Sequence, residues 1–323
     1  MQIGVGLYGT NGHQVQSKLD GHPQARLVAT AAFDRTHLTP SQQQDPDIRH
    51  YDTLEELLHD ERVQLVSLCS PVRREQARQA IRCLEAGRHV YAEKPCAMTE
   101  ADLDAILSAA RRTGCHFHEM AGTAFEQPYL AMRALVQAGT IGTVIQVLAQ
   151  KSYPSHDRRP QDEDVDGGLL MQVGVHALRF VEHVAGVRVA TIEAMETRLG
   201  NPRPGGLRMA ACMMMRLENG GLASAIANYL NPPGFGRWGN ETLRIFGSRG
   251  FVEATDGGMR TRLVLEREDR GALAVEEPGL DYFSLYVASL LGQGEMPLSL
   301  EDELHPTRMV IRARAHALSG RDP

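Results

Sequence analysis

The chain has 323 residues, 42% of them hydrophobic and 23% charged, with a formal net charge of −6. That size and balance suit two ordinary globular domains with a substantial core and exclude a disordered or fibrous chain. No Lys/Arg block recurs along a face and no apolar run is long enough to cross a bilayer, which argues against nucleic acid and membrane as partners.

In chain order, short apolar or β-branched runs predict strands over 2–8, 26–33, 63–69, 88–92 and 115–120. Met1 leads directly into the first of these rather than into a secretory leader, so a cytoplasmic location is expected. Helical spacing fills the gaps. Ala77, Ala80, Ile81 and Leu84 recur at i, i+3, i+4, i+7 with Gly87 as a stop. The next helix has Thr99 as N-cap, Asp102 in its first turn, a stripe of Leu103, Ile106, Leu107 and Ala110, and Gly114 at its end. Repeated βαβ crossovers imply a parallel sheet, so residues 1–118 read as an α/β Rossmann domain.

From residue 119 the rhythm changes. A helix over 129–138 precedes a long strand over 144–153, followed by consecutive strands over 189–199, 208–217, 222–229, 242–246, 251–254 and 262–266. Several are joined by turns such as Asn219-Gly220-Gly221. Helical stretches over 280–291 and 300–318 close the chain. Residues 119–323 therefore read as an α+β domain whose largely antiparallel sheet is covered on one face. The other face needs cover, and Leu222, Ala225 and Ala227 are taken as part of it, so a homo-oligomer, dimer or tetramer, is expected. The cysteines (Cys69, Cys83, Cys96, Cys115, Cys212) are odd in number and lack CxxC spacing, so they read as reduced thiols, with Cys96 a small buried side chain.

The first strand runs into Gly9-Thr10-Asn11-Gly12-His13-Gln14, which departs from the usual G-x-G-x-x-G. Asn tolerates a left-handed backbone, so Asn11 is expected to stand in for the second glycine, with the following helix N-terminus free to hold a pyrophosphate. Asp34 ends the second strand roughly 20 residues on, where an acidic side chain meets the adenosine ribose. Arg35 beside it leaves NADP as the alternative to NAD, because a guanidinium pairs with a 2′-phosphate.

The fourth strand ends in Glu93-Lys94-Pro95. Ligands of open α/β sheets bind beyond the carboxyl ends of the strands, so Lys94 faces the nucleotide site. Glu-Lys-Pro after a glycine turn resembles the Gfo/Idh/MocA-type oxidoreductases, and the resemblance runs over nearly the whole chain. It implies that Gly9, Thr10, Asn11, Gly12, His13, Gln14, Asp34, Arg35, Ser70, Pro71, Glu93 and Lys94 hold the dinucleotide. Ser70-Pro71 resembles the family's Thr-Pro turn, whereas Val72 and Glu75 stand where the family often has asparagine and histidine.

Within residues 167–179, His176 resembles the family histidine under the substrate, but Gln172 and Arg179 replace its aspartates. Gln172 cannot take a proton, so His176 works alone or with a lysine. Spacing of four puts Gln172 and His176 on one helix face. Lys151 and Tyr153 share a strand face and resemble a Lys-x-Tyr that reaches over the pocket. Trp238, the single tryptophan, lies in a Gly/Pro-rich loop suited to capping a pocket and stacking on a sugar ring, or equally to an oligomer contact. His116, His118 and Glu119 invite a metal, but strand alternation parts Glu119 from both histidines, so no metal site is assigned.

The resemblance implies hydride transfer between a nicotinamide and a sugar, cyclitol or related polyol, with His176 as general base, Lys94 holding the reacting hydroxyl and Lys151 in reserve. Alternatives are a redox-cycling NAD-dependent glycoside lyase or hydrolase and a non-catalytic dinucleotide sensor.

Overall fold

The computed structural model describes residues 2–275 and 277–320. The chain divides into two units: Met1–Met120 with Asp164–Asp166 and Tyr282–Leu300, and Ala121–Glu163 with Gly167–Asp281 and Glu301–Pro323. The boundary at 120/121 lies two residues beyond the expected one. Residues 282–300, expected in the second domain, belong to the first.

The first unit holds a six-stranded parallel sheet of β1 (Ile3–Tyr8), β2 (Ala25–Ala31), β3 (Arg49–Tyr51), β4 (Leu65–Leu68), β5 (His89–Ala92) and β6 (Phe117–Glu119), in the order β3-β2-β1-β4-β5-β6. Only five of these strands are marked by apolar runs. β3 is Arg-His-Tyr and owes its state to pairing with Ala29, Thr30 and Ala31. The helix Glu100–Thr113 forms as its sequence directs: the Thr99 hydroxyl accepts the Asp102 amide at 3.1 Å, Leu103, Ile106, Ala109 and Ala110 are buried, and Gly114 ends it at φ 69°. Tyr286, on the helix Tyr282–Leu290, donates its hydroxyl to the carbonyls of Val90 and His116, both at 3.1 Å.

The second unit is built on β7 (Val144–Ser152), β8 (Val189–Thr197), β9 (Ala210–Leu217), β10 (Leu222–Asn228), β11 (Asn240–Gly247), β12 (Gly250–Thr255), β13 (Arg260–Leu265) and β14 (Glu268–Gly271). Their order is β14-β13-β12-β11-β7-β10-β9-β8. Every pairing is antiparallel except β7 with β10. Alternation is strict on β9 and β10. Ala211, Met213, Met215, Ala223, Ala225 and Ala227 are buried, whereas Met214, Leu222 and Ile226 are exposed. Leu222 therefore lies on the opposite face from Ala225 and Ala227; an even position cannot share a strand face with odd ones. None of the five cysteines is joined in a disulfide.

Candidate functional site

In the first unit the turn after β1 carries the fold's ligand-side features. Gly9 and Gly12 take φ of 70° and 137°. Asn11 is not among the non-glycine residues with positive φ, which among the described residues are Ala32, Asp256 and Glu266. Its amide instead donates to the carbonyls of Val165 at 2.6 Å and Pro71 at 3.2 Å. The helix that follows is a single turn, Gln16–Leu19, without a side-chain cap, so the backbone of the turn itself, more than a helix dipole, faces any pyrophosphate.

Gly12 is required by Glu93. A β-carbon at residue 12 would lie 2.5 Å from Glu93 Cγ. The Glu93 carboxylate, 1% exposed, accepts the His13 amide and lies 2.9 Å from His13 Nδ1. Burial alone would raise its pKa, but His13, Lys94 and Arg73 outweigh that and hold the carboxyl far below its usual range. Lys94 is 2% exposed, with Nζ 4.0 Å from Glu93 Oε1.

Two residues that no motif singles out tie this corner together. Buried Arg73 donates to the Asn11 carbonyl at 2.6 Å and to Gln76 Oε1. Buried Gln76 accepts the Ser70 amide and donates to the carbonyls of Glu93 and Pro95. Ser70 donates its hydroxyl to the Val72 carbonyl. Gln14, expected at the cofactor, is spent on the strand ends, donating to Tyr8 and Gly9 carbonyls and accepting from Ser67. Thr10 and Arg35 are exposed. Asp34 is also exposed and caps residues 35–37, accepting from the Thr36 amide and hydroxyl; those two bonds lower its pKa. Glu119, on the strand that also carries His118, accepts the Cys96 amide at 2.8 Å.

In the second unit His176 lies in a helix whose winding changes twice, from π over Leu170–Gly174 to α over Val175–Arg179 and π again over Phe180–Val184. Such π turns are rare and recur at functional sites. The Gln172-to-His176 spacing is therefore not an ordinary α-helical turn. Gly168, just ahead of this helix and at φ 74°, lies where a β-carbon would meet the Glu163 side chain, so a glycine there serves a close approach within the chain. His176 is 8% exposed and its Nδ1 lies 2.9 Å from Thr123 Oγ1, a partner with no sequence signal. Its ring is 6.2 Å from that of Tyr153, which is 5.9 Å from Trp238; His156 is a further 5.9 Å from Trp238. Arg159 lies 3.6 Å over the Tyr229 ring and 6.0 Å from Trp238. Expected Lys151, Tyr153, His176 and Trp238 thus fall in one cluster. Lys151 is ion-paired with Glu241; burial works against its charge, but Tyr153 and Glu241 outweigh that and raise its pKa. Arg179, at a family aspartate position, is fully buried.

A parallel sheet in this order, with a glycine turn leaving its first strand and an acidic residue after the second, defines a dinucleotide-binding protein of the doubly wound class. The residues fit the group: the Gly9–Gly12 turn bears no side chain at either glycine and Asp34 is an exposed, ionised acceptor. The chain belongs to the Gfo/Idh/MocA family, matching its NAD-binding Rossmann-fold oxidoreductase domain over residues 2–120 and its C-terminal domain over residues 129–253. It is 38% identical over 107 residues to dTDP-3,4-didehydro-2,6-dideoxy-alpha-D-glucose 3-reductase of Streptomyces violaceoruber, spanning 32% of this chain and 31% of that one. Myo-inositol 2-dehydrogenase of Thermotoga maritima is 24% identical over 84% of this chain and 79% of its own. A solved oxidoreductase structure from the same organism superposes with a TM-score of 0.88 at 26% identity over 98% of both chains.

Proposed function

We propose that the protein is an NAD-dependent dehydrogenase or reductase acting on a CH–OH group of a sugar, cyclitol or related polyol. The observation that carries this reading is a cluster that begins at His176: a histidine held at Nδ1 by Thr123 and facing the Tyr153 ring, which is itself flanked by Trp238 and by the Lys151 ammonium. Aromatic faces stack on the apolar face of a sugar ring, and fixed N–H and O–H groups bind its hydroxyls. Relatives named as a deoxysugar reductase and an inositol dehydrogenase support the same substrate class.

NAD supplies the hydride chemistry when bound. Gly9, Thr10, Asn11, Gly12, His13, Asp34, Arg35, Ser70, Pro71 and the Glu93-Lys94 pair are assigned to hold it. When His176 Nδ1–H donates to Thr123, Nε2 carries the lone pair that takes the hydroxyl proton. Lys94 holds the reacting oxygen and favours its alkoxide, and Gln172 orients substrate or imidazole. The test is a polyol and sugar panel followed by NADH absorbance. Net NADH accumulation bears out the dehydrogenase. Product without accumulation points instead to a redox-cycling lyase or hydrolase, and binding without product to a sensor.

A further inference from the structure

Of the 34 lysines and arginines in the chain, only three are lysine: Lys18, Lys94 and Lys151. Where charge alone is needed the sequence uses arginine, so a lysine buried inside a sheet calls for an explanation. Lys151 is 8% exposed and sits near the end of β7, between β10 and β11. An ammonium taken out of water is costly unless a counter-charge compensates it. Glu241 does so. It is directly opposite Lys151 in the β11–β7 register, is equally buried, and accepts a hydrogen bond from Nζ. Its carboxylate occupies space that a β-carbon at Gly239 would overlap, so the local backbone is shaped around it. On the other side, Nζ lies 5.2 Å from the centroid of the Tyr153 ring, within cation–π range.

The charged and titratable groups facing Lys151 are Tyr153 just beyond its own strand, Glu241 on β11 and Glu126 ahead of the helix Tyr129–Gln137. Tyr129 faces the same two carboxylates, and Arg237 faces Tyr129. Burial by itself would favour the neutral amine, but Tyr153, Glu241 and Glu126 together hold the ammonium above its ordinary pKa.

Resting on the substrate-site reading above, we propose that Glu241 is a positioning residue: it fixes Lys151 as a permanent hydrogen-bond donor beside Tyr153, so that Lys151 binds a substrate oxygen and never serves as base. An ammonium has three N–H donors, of which one is directed to Glu241. The chemistry so recognised is an oxygen acceptor, a hydroxyl or carbonyl, on the substrate.

Three lysines make the test clean. Protein grown with lysine labelled with 13C at Cε gives three signals, assigned with Lys18→Arg and Lys151→Arg, whose titration reports each charge state without any turnover. In the wild type the Lys151 signal should titrate no lower than that of exposed Lys18. Glu241→Gln should lower the Lys151 midpoint by at least about one pH unit. It should also raise KM by about 10- to 100-fold, with kcat changed less. Glu241→Asp, which keeps the carboxylate, should restore most of the midpoint. A wild-type Lys151 midpoint well below that of Lys18, or a midpoint unmoved in Glu241→Gln, overturns the proposal. Should the Gln variant not fold, the wild-type titration and the Asp variant still decide. Turnover of a polyol with the wrong lysine titration defeats this inference alone, whereas the expected titration with no turnover on any polyol or sugar defeats the substrate-site reading beneath it.

Discussion

The Glu93 carboxylate occupies the space in which a side chain on residue 12 would have to stand: a β-carbon on Gly12 would lie 2.5 Å from Glu93 Cγ and 2.6 Å from its Cδ. Gly12 also takes φ 137°, so Gly12→Ala strains the backbone and displaces a buried charge together. The expected loss is roughly 2–5 kcal/mol of stability, with NADH affinity falling in parallel. Thermal melting and NADH fluorescence titration measure both; an alanine variant that melts and binds like wild type would show that the turn can relax.

Lys94 and His176 should fail differently. Lys94→Ala depresses kcat at every pH, because positioning and charge do not depend on a missing proton. His176→Ala should cost about 10²- to 10⁴-fold and flatten the acidic limb of kcat/KM. Gln172→Ala should cost less than either, since an amide can only orient its neighbours. If His176→Ala keeps the acidic limb, the base lies elsewhere.

Asp34 is exposed and its carboxyl is held ionised by two bonds from Thr36. It should accept ribose hydroxyls and repel a 2′-phosphate, with Arg35 limiting the margin. Asp34→Ser should therefore narrow the kcat/KM preference for NAD over NADP; equal discrimination in wild type and variant would remove Asp34 from this role.

His183 is 1% exposed. Burial, then the Arg179 guanidinium, pushes its pKa down to about 3. A histidine depressed in the folded state gives its full stability above the unfolded pKa of about 6.5 and loses it as pH falls from there toward 3. Near pH 4.5 the loss should reach about 2–3 kcal/mol. In urea unfolding, His183→Gln should lose less stability between pH 7 and 4.5 than wild type; parallel losses would place the acid sensitivity elsewhere.

Met195, Met214, Leu222 and Ile226 are exposed on one face of the second sheet, and a homo-oligomer that covers this face is expected. Light scattering at micromolar concentration should show an assembly that Met214→Glu weakens. A wild-type monomer would end the idea.

Where an element carried its own apolar signal it was legible: the run ending at Ala92, the helix capped by Thr99, the strands around Met213 and Ala225. Where a state came from partners it was not. The charged residues of β3 and β14 pair because a neighbouring strand offers hydrogen bonds, and the parallel pairing of β7 with β10 depends on long-range order that no local pattern encodes. The residues assigned to chemistry show the same division. Lys94, His176, Lys151 and Tyr153 declare themselves by residue type and motif. Thr123, Gln76, Arg73 and Glu241, which hold or orient neighbouring groups, read along the chain as ordinary polar residues. The winding of the His176 helix and the ordinary backbone of Asn11 were equally hidden, since both are set by packing after the chain has folded.

The return of residues 282–300 to the first unit bears on how this protein can be divided. A gene fragment ending at residue 120 would encode every strand of the parallel sheet yet omit the helix whose Tyr286 hydroxyl donates to the Val90 and His116 carbonyls. Recombination between relatives would meet the same obstacle. A swapped nucleotide module would have to bring that late segment with it, so a single crossover at residue 120 does not exchange the first unit whole.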